Sequence, residues 1–241
     1  MNIHVYDRPE QAGQAAALLI AAQLLRKPHS VLGLATGSSP IPIYRSLIVL
    51  YQAGVISFDR VVSYNLDEYV GIDPDHVCSY HRFMREQLFD HVNMRPEAIH
   101  VPDGKAADLA AAASAYDRAI ETAGGIDLQL LDIGRNGHIG FNEPNSHFVG
   151  GCHVTDLTAS TIEANQRFFD SIDNVPRQAV SLGITPIMRA KTVVLIATGA
   201  DKAQAVKAAV RGPVDPRVQA SILQAHPDAH FMLDQEAAAL L

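Results

Sequence analysis

The sequence predicts a single-domain α/β protein, a three-layer sandwich in which helices cover both faces of a mostly parallel central sheet. Short β-rich runs alternate along the chain with Ala-rich helical stretches, which is typical of parallel βαβ units. Hydrophobic residues make up 48% of the 241 residues, which suits a sheet buried on both faces. No linker or repeat interrupts the chain, so we expect one domain over residues 1–241.

The β-rich runs give the strands in order. We expect strands over residues 3–6, 31–35, 60–66, 128–133, 179–182, 192–197 and 230–233. Ligands of parallel sheets collect outside the carboxyl ends of the strands. Polar or Gly-rich segments follow four of the predicted strands, at 36–39, 67–68, 134–144 and 198–202, so we expect these segments to meet at one edge.

Helical patterns fill most of the gaps between the strands. We expect helices over residues 10–26, 42–53, 79–89, 106–121, 202–210 and 218–226. The apolar run 15–22 is short and follows a predicted strand, so we interpret it as a buried helix and not as a signal-peptide core.

Composition and motifs exclude several classes of protein. A net charge of -7 argues against nucleic-acid binding, and no segment indicates a membrane partner. Two distant cysteines indicate no disulfide framework, so we expect a cytoplasmic protein. The 11 His residues are scattered, no His-Glu-x-x-His occurs, and Cys152-His153 has no further ligands nearby, so we expect no metal. A Gly-x-Ser-x-Gly nucleophile motif is also missing.

A turn rich in Gly and hydroxyl groups follows the second predicted strand. Thr36-Gly37-Ser38-Ser39 leads into a helix start, where free N–H groups and the helix dipole favour an anion. It is not a Walker A loop, because no Gly-Lys-Ser/Thr follows at the required spacing. Two interpretations stay open: the turn binds phosphate, or Ser39 caps the helix with Pro40 or Pro42 in its first turn.

The segment Thr198-Gly199-Ala200-Asp201-Lys202 has a similar design after a later strand. The helix dipole disfavours a cation near a helix start, so a nearby anion would explain Lys202. The alternative is a solvated surface lysine, the more common fate of this residue type.

The most informative stretch runs from Gly134 to Pro144 and contains His138 and Glu143. A loop so rich in Gly can fold back, so that the carboxylate orients the imidazole and fixes its tautomer for proton transfer. The alternative is a structural histidine that is satisfied by backbone groups.

Two carboxylates, Asp67 and Glu68, stand at the end of the third predicted strand. A carboxylate near a sugar carbon α to a carbonyl can remove the proton there, as in aldose-ketose isomerases. A helix cap and a hydrogen bond to a ligand hydroxyl are the alternatives, and spacing does not choose among the three.

Taken together, these segments resemble the glucosamine-6-phosphate deaminase family over nearly the whole chain. Four motifs carry the resemblance: Ala35-Thr36-Gly37-Ser38-Ser39-Pro40, Asn65-Leu66-Asp67-Glu68-Tyr69-Val70-Gly71, Gly137-His138-Ile139-Gly140-Phe141-Asn142-Glu143-Pro144 and Ala164-Asn165-Gln166-Arg167-Phe168-Phe169. The resemblance implies a modified Rossmann-like fold. It also implies conversion of glucosamine 6-phosphate and water to fructose 6-phosphate and ammonia, with no metal or organic cofactor.

The resemblance implies a role for each matching residue. Asp67 would take the proton from C2 of the opened sugar, His138 would assist ring opening, and Glu143 would orient His138. Many members have Asp where this chain has Asn136, so the relay would depend mainly on Glu143. The substrate phosphate would be held by Thr36, Gly37, Ser38, Ser39, Arg167 and Lys202.

Two further expectations follow from the resemblance. Residues 157–180 correspond to the family's mobile lid, which would bring Arg167 to the phosphate on closure. Larger, hexameric members have basic residues after the Asn-Glu-Pro segment that bind an allosteric N-acetylated sugar phosphate. This chain has neither Arg nor Lys over 150–155, so we expect no such activation and a monomer or a small homo-oligomer.

Two other functions compete with this interpretation. A 6-phosphogluconolactonase-like hydrolase has a related fold and a Gly-His loop, but it would not need Asp67 as a carbon base. A non-catalytic sugar-phosphate sensor would be expected to lack the base or the histidine and to carry a DNA-binding segment.

Overall fold

A computed structural model describes residues 1–241, which contain ten strands and seven α-helices. The strands are β1 (Asn2–Tyr6), β2 (Val31–Leu34), β3 (Val62–Asn65), β4 (Asp67–Tyr69), β5 (Ile99–His100), β6 (Leu128–Asp132), β7 (His153–Asp156), β8 (Gln178–Ser181), β9 (Thr192–Ala197) and β10 (Ala229–Asp234). The helices are α1 (Pro9–Arg26), α2 (Ile41–Gln52), α3 (Tyr80–Gln87), α4 (Leu109–Thr122), α5 (Ala159–Asn165), α6 (Ile184–Arg189) and α7 (Ala203–Arg211).

Seven strands form a parallel central sheet in the order β1-β10-β9-β6-β2-β3-β5. Strands β2, β6 and β9 are buried along almost their whole length, with no alternation of buried and exposed residues. Such strands need cover on both faces, which the helices supply. The predicted α/β sandwich with a parallel sheet is confirmed.

The strand order reverses between β2 and β6. From β2 the chain continues through β3 to β5 at one edge, whereas β6, β9, β10 and β1 lie on the other side. A reversal of this kind opens a crevice at the carboxyl ends of the strands, where open α/β sheets bind their ligands. The chain segments that follow β2, β3, β6 and β9 therefore surround one position.

A second, smaller sheet contains β4, β8 and β7 in antiparallel order. The run 179–182 was predicted as one strand among the others, but β8 pairs here, with Asp67 opposite Ser181. Three elements, β4, β5 and β7, were not predicted. They are only two to four residues long and largely polar, so they lack the apolar periodicity of a strand.

The predicted helices form with shifts at their ends, apart from the last. Ser79 caps α3 by accepting the backbone N–H of Arg82 at 3.0 Å, so the helix begins at Tyr80. The segment predicted as a helix over 218–226 is a 3₁₀-helix, Gln219–Ala225. None of the helices combines the length and the apolar character that a bilayer crossing requires.

A buried carboxylate joins several elements at the amino edge of the sheet. Asp127, whose side chain is 1% exposed, receives Lys27 Nζ at 2.6 Å, Lys191 Nζ at 2.7 Å and the backbone N–H of Val31 at 2.8 Å. Burial alone would raise the pKa of Asp127, but the two lysines and the N–H group lower it. This cluster ties the ends of α1, β2, β6 and β9 together, on the side away from the carboxyl ends.

Replacing Asp127 with asparagine should lower stability without changing catalysis. The amide cannot pair with two ammonium groups, and we expect a loss of about 2 kcal/mol. For a chain of this size that corresponds to a fall in melting temperature of roughly 4 to 8 °C. The matched control is Asp173→Asn, whose 90% exposed side chain forms only a 3.8 Å pair with Arg177 and should contribute little. An equal fall in both variants would contradict the assignment.

Candidate active site

A cavity of about 430 Å³ lies at the carboxyl ends of β9, β6, β2 and β3. The segments that follow these four neighbouring strands line it. Segment 77–83 and residues 160–169 add to its wall. All the site residues predicted from the sequence line this cavity, except Glu143, which lies directly behind His138.

The turn after β2 lines the cavity with unpaired backbone donors and hydroxyl groups. Gly37 has a φ of 111°, a conformation that favours glycine. The backbone N–H groups of Thr36, Gly37, Ser38 and Ser39 donate to no acceptor in the protein. Four free N–H groups beside three hydroxyls and a helix start form a concavity that suits phosphate.

The two alternatives for Ser39 and Lys202 are not observed. Pro40 occupies the N-cap of α2 without a side-chain bond, and Ser39 Oγ donates instead to Asp132 Oδ2 at 3.1 Å. Lys202 is not a solvated lysine, because its side chain is only 16% exposed. Its Nζ donates to the carbonyl of Ile133 and lies 3.9 Å from Asp132 Oδ1. The Ser39 hydroxyl and the Lys202 ammonium group are therefore both directed at Asp132 and Ile133, which form the part of the cavity lining that we call its floor.

Asp132, the last residue of β6, was missed in the sequence. Its carboxylate lies between Ser39 and Lys202 and also accepts the backbone N–H of Ile133 at 2.8 Å. Burial raises the pKa of Asp132, although Lys202 and these hydrogen bonds oppose the shift. The signal that could have found it is its position, because a polar residue ending a buried strand faces the ligand edge.

A second cation and carboxylate lie at the cavity mouth. Arg135 Nε contacts Asp201 Oδ2 at 2.7 Å, and both side chains are about half exposed. Neither residue was predicted as part of the site. The pair connects the loop after β6 with the segment that carries Lys202.

The loop after β6 folds back on itself and positions His138. The backbone N–H of Gly134 donates to the carbonyl of His138 at 2.9 Å, and Gly137 donates to Gly134 at 2.9 Å. A side chain at position 134 would meet the His138 ring at 2.3 Å, so only glycine leaves room for the imidazole. Asn142 Nδ2 fixes the far end by donating to the carbonyls of Ile139 and Leu182, each at 2.8 Å.

Three side chains contact one carboxylate oxygen of Glu143. His138 Nδ1 lies 3.3 Å from Glu143 Oε2, which also accepts Asn136 Nδ2 at 2.8 Å and Thr158 Oγ1 at 3.2 Å. Burial alone would raise the pKa of Glu143, but His138 and the other donors lower it to about 2. Glu143 is therefore ionised throughout the neutral range. It can hold the imidazole with Nδ1 inward and Nε2 toward the cavity.

Asp67, the first residue of β4, lines the cavity and accepts no hydrogen bond from the protein. It is 6% exposed. Burial, followed by repulsion from Glu68, raises the pKa of Asp67 to about 8. A carboxylate with such a pKa can exchange protons near neutral pH, which suits a general base.

The neighbouring carboxylate has a different task. Glu68 accepts the backbone N–H groups of Tyr69 at 2.9 Å, Tyr80 at 3.0 Å and His81 at 3.0 Å. It thereby satisfies the free first turn of α3 and does not line the cavity. Of the two carboxylates predicted at this strand end, Asp67 alone lines the cavity.

Aromatic rings close one side of the cavity. Tyr69 packs with its ring centroid 4.9 Å from Tyr80, 5.6 Å from Phe141 and 5.7 Å from Phe169. They belong to a small apolar cluster separate from the main core, to which Leu157, Ile162 and Val175 also contribute. Residues of the predicted lid thus pack on the wall beside Asp67.

Both ends of the segment between Thr158 and Gln178 are attached next to a site carboxylate. Thr158 Oγ1 bonds to Glu143, as described above. At the other end, β8 pairs with β4, so that its last residue lies opposite Asp67. Between these ends the chain forms α5 and two 3₁₀-helices, Gln166–Phe168 and Ile172–Asn174.

Arg167 lies on this segment at the cavity mouth. Its guanidinium Cζ sits 4.7 Å from the ring centroid of Phe168, and it forms no pair with a carboxylate. Cys78 Sγ donates to the carbonyl of Phe168 at 2.8 Å from the opposite rim. Arg167 is therefore an exposed cation without a carboxylate partner, and it lines the same cavity as the turn at 36–39.

The arrangement can be compared with known proteins. A profile of the family described as glucosamine-6-phosphate isomerases/6-phosphogluconolactonase matches residues 7–231. A glucosamine-6-phosphate deaminase of Halothermothrix orenii is 48% identical over 241 residues, and the match covers 100% of each chain.

Solved structures extend the comparison. A structure of a monomeric glucosamine-6-phosphate deaminase is 41% identical, has a TM-score of 0.98 and matches over 100% of each chain. A 6-phosphogluconolactonase from Trypanosoma brucei is 19% identical, with a TM-score of 0.76 over 100% of this chain and 98% of that one. The second protein shares the fold alone.

Proposed function

We infer that this chain, which belongs to the glucosamine-6-phosphate isomerase and 6-phosphogluconolactonase family, converts glucosamine 6-phosphate and water to fructose 6-phosphate and ammonia. The reaction is an aldose-ketose isomerisation coupled to deamination. The full-length relative at 48% identity carries the deaminase name, whereas the lactonase structure is similar in fold alone.

One observation supports this choice most strongly. Asp67, with its raised pKa, faces the same cavity as the His138–Glu143 pair and the anion-binding turn. A lactonase needs no base for a carbon-bound proton, and a sensor needs neither Asp67 nor His138. The site therefore favours an enzyme that moves protons at carbon.

The proposed mechanism begins with ring opening. His138 would move a proton from the anomeric hydroxyl to the ring oxygen, which exposes an aldehyde at C1 and acidifies the C2 proton. Asp67 would remove that proton to give an enolamine, and proton return to C1 would give an imine at C2. Water adds to the imine and ammonia leaves. Every step is a proton transfer or addition at adjacent carbons, which carboxylates and one imidazole can perform.

The remaining site residues would bind and orient. We propose that the turn at 36–39 and Lys202 hold the phosphate, and that Arg167 completes its cover. Glu143 and Asn136 would hold His138 in one orientation, with Glu143 supplying the charge. In this proposal Asn136 is a positioning residue, because it contacts Glu143 and the His138 backbone.

A coupled assay tests the proposed reaction. Purified protein is incubated with glucosamine 6-phosphate, and fructose 6-phosphate and ammonia are measured together. Equal amounts of the two products are expected. Hydrolysis of 6-phosphogluconolactone without either product would assign the chain to the other branch of the family.

Replacing Arg167 with alanine should weaken substrate binding. Loss of one charge-assisted contact to phosphate is expected to raise KM about tenfold and to lower kcat less, if the segment 157–180 closes as a lid. Steady-state kinetics with glucosamine 6-phosphate measure both constants.

The matched control for Arg167 is Arg177→Ala. Arg177 lies on the same segment and is exposed, but it lines no part of the cavity and pairs only with Asp173. Its KM should remain at the wild-type value. Unchanged binding and turnover in the Arg167 variant would remove this residue from the phosphate site.

We propose a monomer or a small homo-oligomer without activation by N-acetylglucosamine 6-phosphate. The 41% identical structure is described as a monomeric enzyme, and residues 150–155 contain no Arg or Lys. A sigmoidal rate curve that this effector sharpens would contradict the proposal. A cytoplasmic location is also proposed, because a phosphorylated amino sugar does not cross a membrane unaided.

A further inference from the structure

The floor of the proposed phosphate site contains a carboxylate where positive charge would be expected. Asp132 Oδ2 accepts the Ser39 hydroxyl at 3.1 Å, and Asp132 Oδ1 lies 3.9 Å from Lys202 Nζ. Ser39 and Lys202 are two of the side chains proposed to hold the phosphate, and both are largely buried. The polar atoms of both are directed at Asp132 and its neighbour Ile133.

This geometry forces a phosphate close to Asp132. An anion that accepts a hydrogen bond from Ser39 Oγ lies within about 6 Å of Asp132 Oδ2, given a bond of ordinary length. Like charges at that separation repel strongly in a partly buried site, where water screens them poorly. An ionised Asp132 would also cancel much of the attraction that Lys202 offers.

We propose that Asp132 is a positioning residue that takes up a proton when the substrate phosphate binds. The proton comes from solvent and converts the carboxylate to a carboxylic acid. The acid can then donate a hydrogen bond, and Lys202 is left to pair with the phosphate. The proposal deepens the proposed function and depends on its phosphate site.

The surroundings of Asp132 support this exchange. Its side chain is only 22% exposed, and this partial burial already favours the neutral form before any anion arrives. The charged and titratable groups facing it are Lys202 and His138, while the Arg135–Asp201 pair lies further out at the mouth. Lys202 and the two hydrogen-bond donors favour the ionised form of Asp132, and a bound dianion would oppose that effect.

The proposal predicts a proton count. Isothermal titration calorimetry with inorganic phosphate, in two buffers of different ionisation enthalpy, gives the protons taken up per site. At pH 8 wild type should take up one proton more than Asp132→Asn. Because binding takes up this extra proton, the Kd of wild type for phosphate should rise with pH more steeply than that of Asp132→Asn. The difference should be about tenfold per pH unit.

Two further variants serve as controls. Asp201→Asn removes one carboxylate from the same cavity, and its proton count should equal that of wild type. His138→Gln removes the imidazole that faces Asp132, and uptake should persist. Equal proton counts in wild type and Asp132→Asn would overturn the proposal, as would loss of uptake in His138→Gln alone.

Catalysis gives an independent readout. At pH 8 Asp132→Asn should lower KM for glucosamine 6-phosphate several-fold, and the change in KM should exceed any change in kcat. If Asp132→Asn does not fold, Asp132→Ser replaces it. Sulfate, which cannot itself gain a proton near neutral pH, replaces phosphate as the probe for wild type. A wild-type protein that gains no proton with sulfate counts against the proposal.

The experiment separates this proposal from the proposed function. Phosphate-linked proton uptake without release of ammonia from glucosamine 6-phosphate would leave the Asp132 proposal standing and reject the deaminase. Ammonia release with no difference between wild type and Asp132→Asn would do the reverse.

Discussion

Replacing Asp67 with asparagine is expected to lower kcat by about 10³-fold, because the amide cannot accept the C2 proton. Substrate binding should change little, since Asp67 makes no contact with the proposed phosphate site. Product formation with glucosamine 6-phosphate and a direct binding measurement separate the two effects. A variant with more than a tenth of wild-type turnover would assign the proton transfer to another group.

The same variant should be more stable than wild type. In the unfolded chain Asp67 has its ordinary pKa of 3.8, whereas burial raises it to about 8 in the fold. A raised carboxyl pKa disfavours folding increasingly as pH rises from 3.8 toward 8, because the unfolded chain releases the proton freely. At pH 7 we expect Asp67→Asn to gain about 1 to 4 kcal/mol, or several degrees in melting temperature. The gain should vanish below pH 4.

The neighbouring carboxylate provides a matched comparison. Glu68→Gln weakens two backbone hydrogen bonds at the start of α3 and a third from the N–H of Tyr69. Burial raises the pKa of Glu68 as well, but these donors oppose the shift, so at pH 7 Glu68→Gln should be less stable than Asp67→Asn by about 1 to 3 kcal/mol. Equal stability of the two variants would contradict the contrast drawn between the two carboxylates.

The pH profile tests the state of Asp67 without any substitution. The base must be ionised, so kcat, which excludes the pH dependence of binding proposed for Asp132, should rise about tenfold per unit at acidic pH and level off near pH 8. A flat profile between pH 6 and 9 is incompatible with Asp67 as the base at the pKa given by its burial.

Replacing Glu143 with glutamine should reduce kcat by about 10²-fold, the second largest effect expected. The glutamine removes the negative charge that faces His138 Nδ1. Its amide NH₂ group is also a donor, and it would compete with the three side chains that now contact the carboxylate. Thr158→Val is the matched control. It removes one neutral donor to the same oxygen and should reduce kcat by less than about fivefold.

A double variant decides whether Glu143 acts through His138. Residues that work as one unit give non-additive losses. If Glu143 only orients and stabilises the imidazole, His138→Gln/Glu143→Gln should be no slower than His138→Gln alone. Multiplied losses would indicate that Glu143 touches the substrate independently.

Acid stability gives a second view of Glu143. Its pKa is lowered from 4.5 to about 2, so it stabilises the fold above pH 4.5 and this contribution disappears as pH falls toward 2. Wild type should exceed Glu143→Gln by about 2 to 3 kcal/mol at neutral pH. The difference should close below pH 4.5 in urea titrations.

The sequence predicted the central sheet well because its strands are buried on both faces. Runs such as Val31–Leu34 and Thr192–Ala197 are continuously apolar, and helices with apolar faces separate them. The small sheet escaped prediction because β4 and β7 depend on pairing with a distant partner, β8, and not on their own composition. Three residues of polar sequence carry no periodicity that would reveal a strand.

The site was predicted to the extent that its residues stand directly after strands. That rule found Asp67, His138 and Lys202, and it applies equally to Asp132, which was passed over. Thr158 could not be found in this way. Its contact with Glu143 joins two residues 15 positions apart, because the chain between them folds back. No local sequence pattern reveals that contact. The separate tasks of Asp67 and Glu68 also needed coordinates, because adjacent residues on a strand face opposite ways.

The attachment of the segment between Thr158 and Gln178 bears on how such enzymes diversify. One end bonds to Glu143, the other leads into β8, which pairs with the strand of Asp67, and residues 160–169 between them add to the cavity wall. We therefore expect the chain between these two attachments to tolerate changes of sequence and length. Insertions or grafted sequences there can reshape what enters the cavity while both carboxylates keep their places. Selection for a new sugar would therefore act first on this stretch, with the proton-transfer apparatus inherited intact.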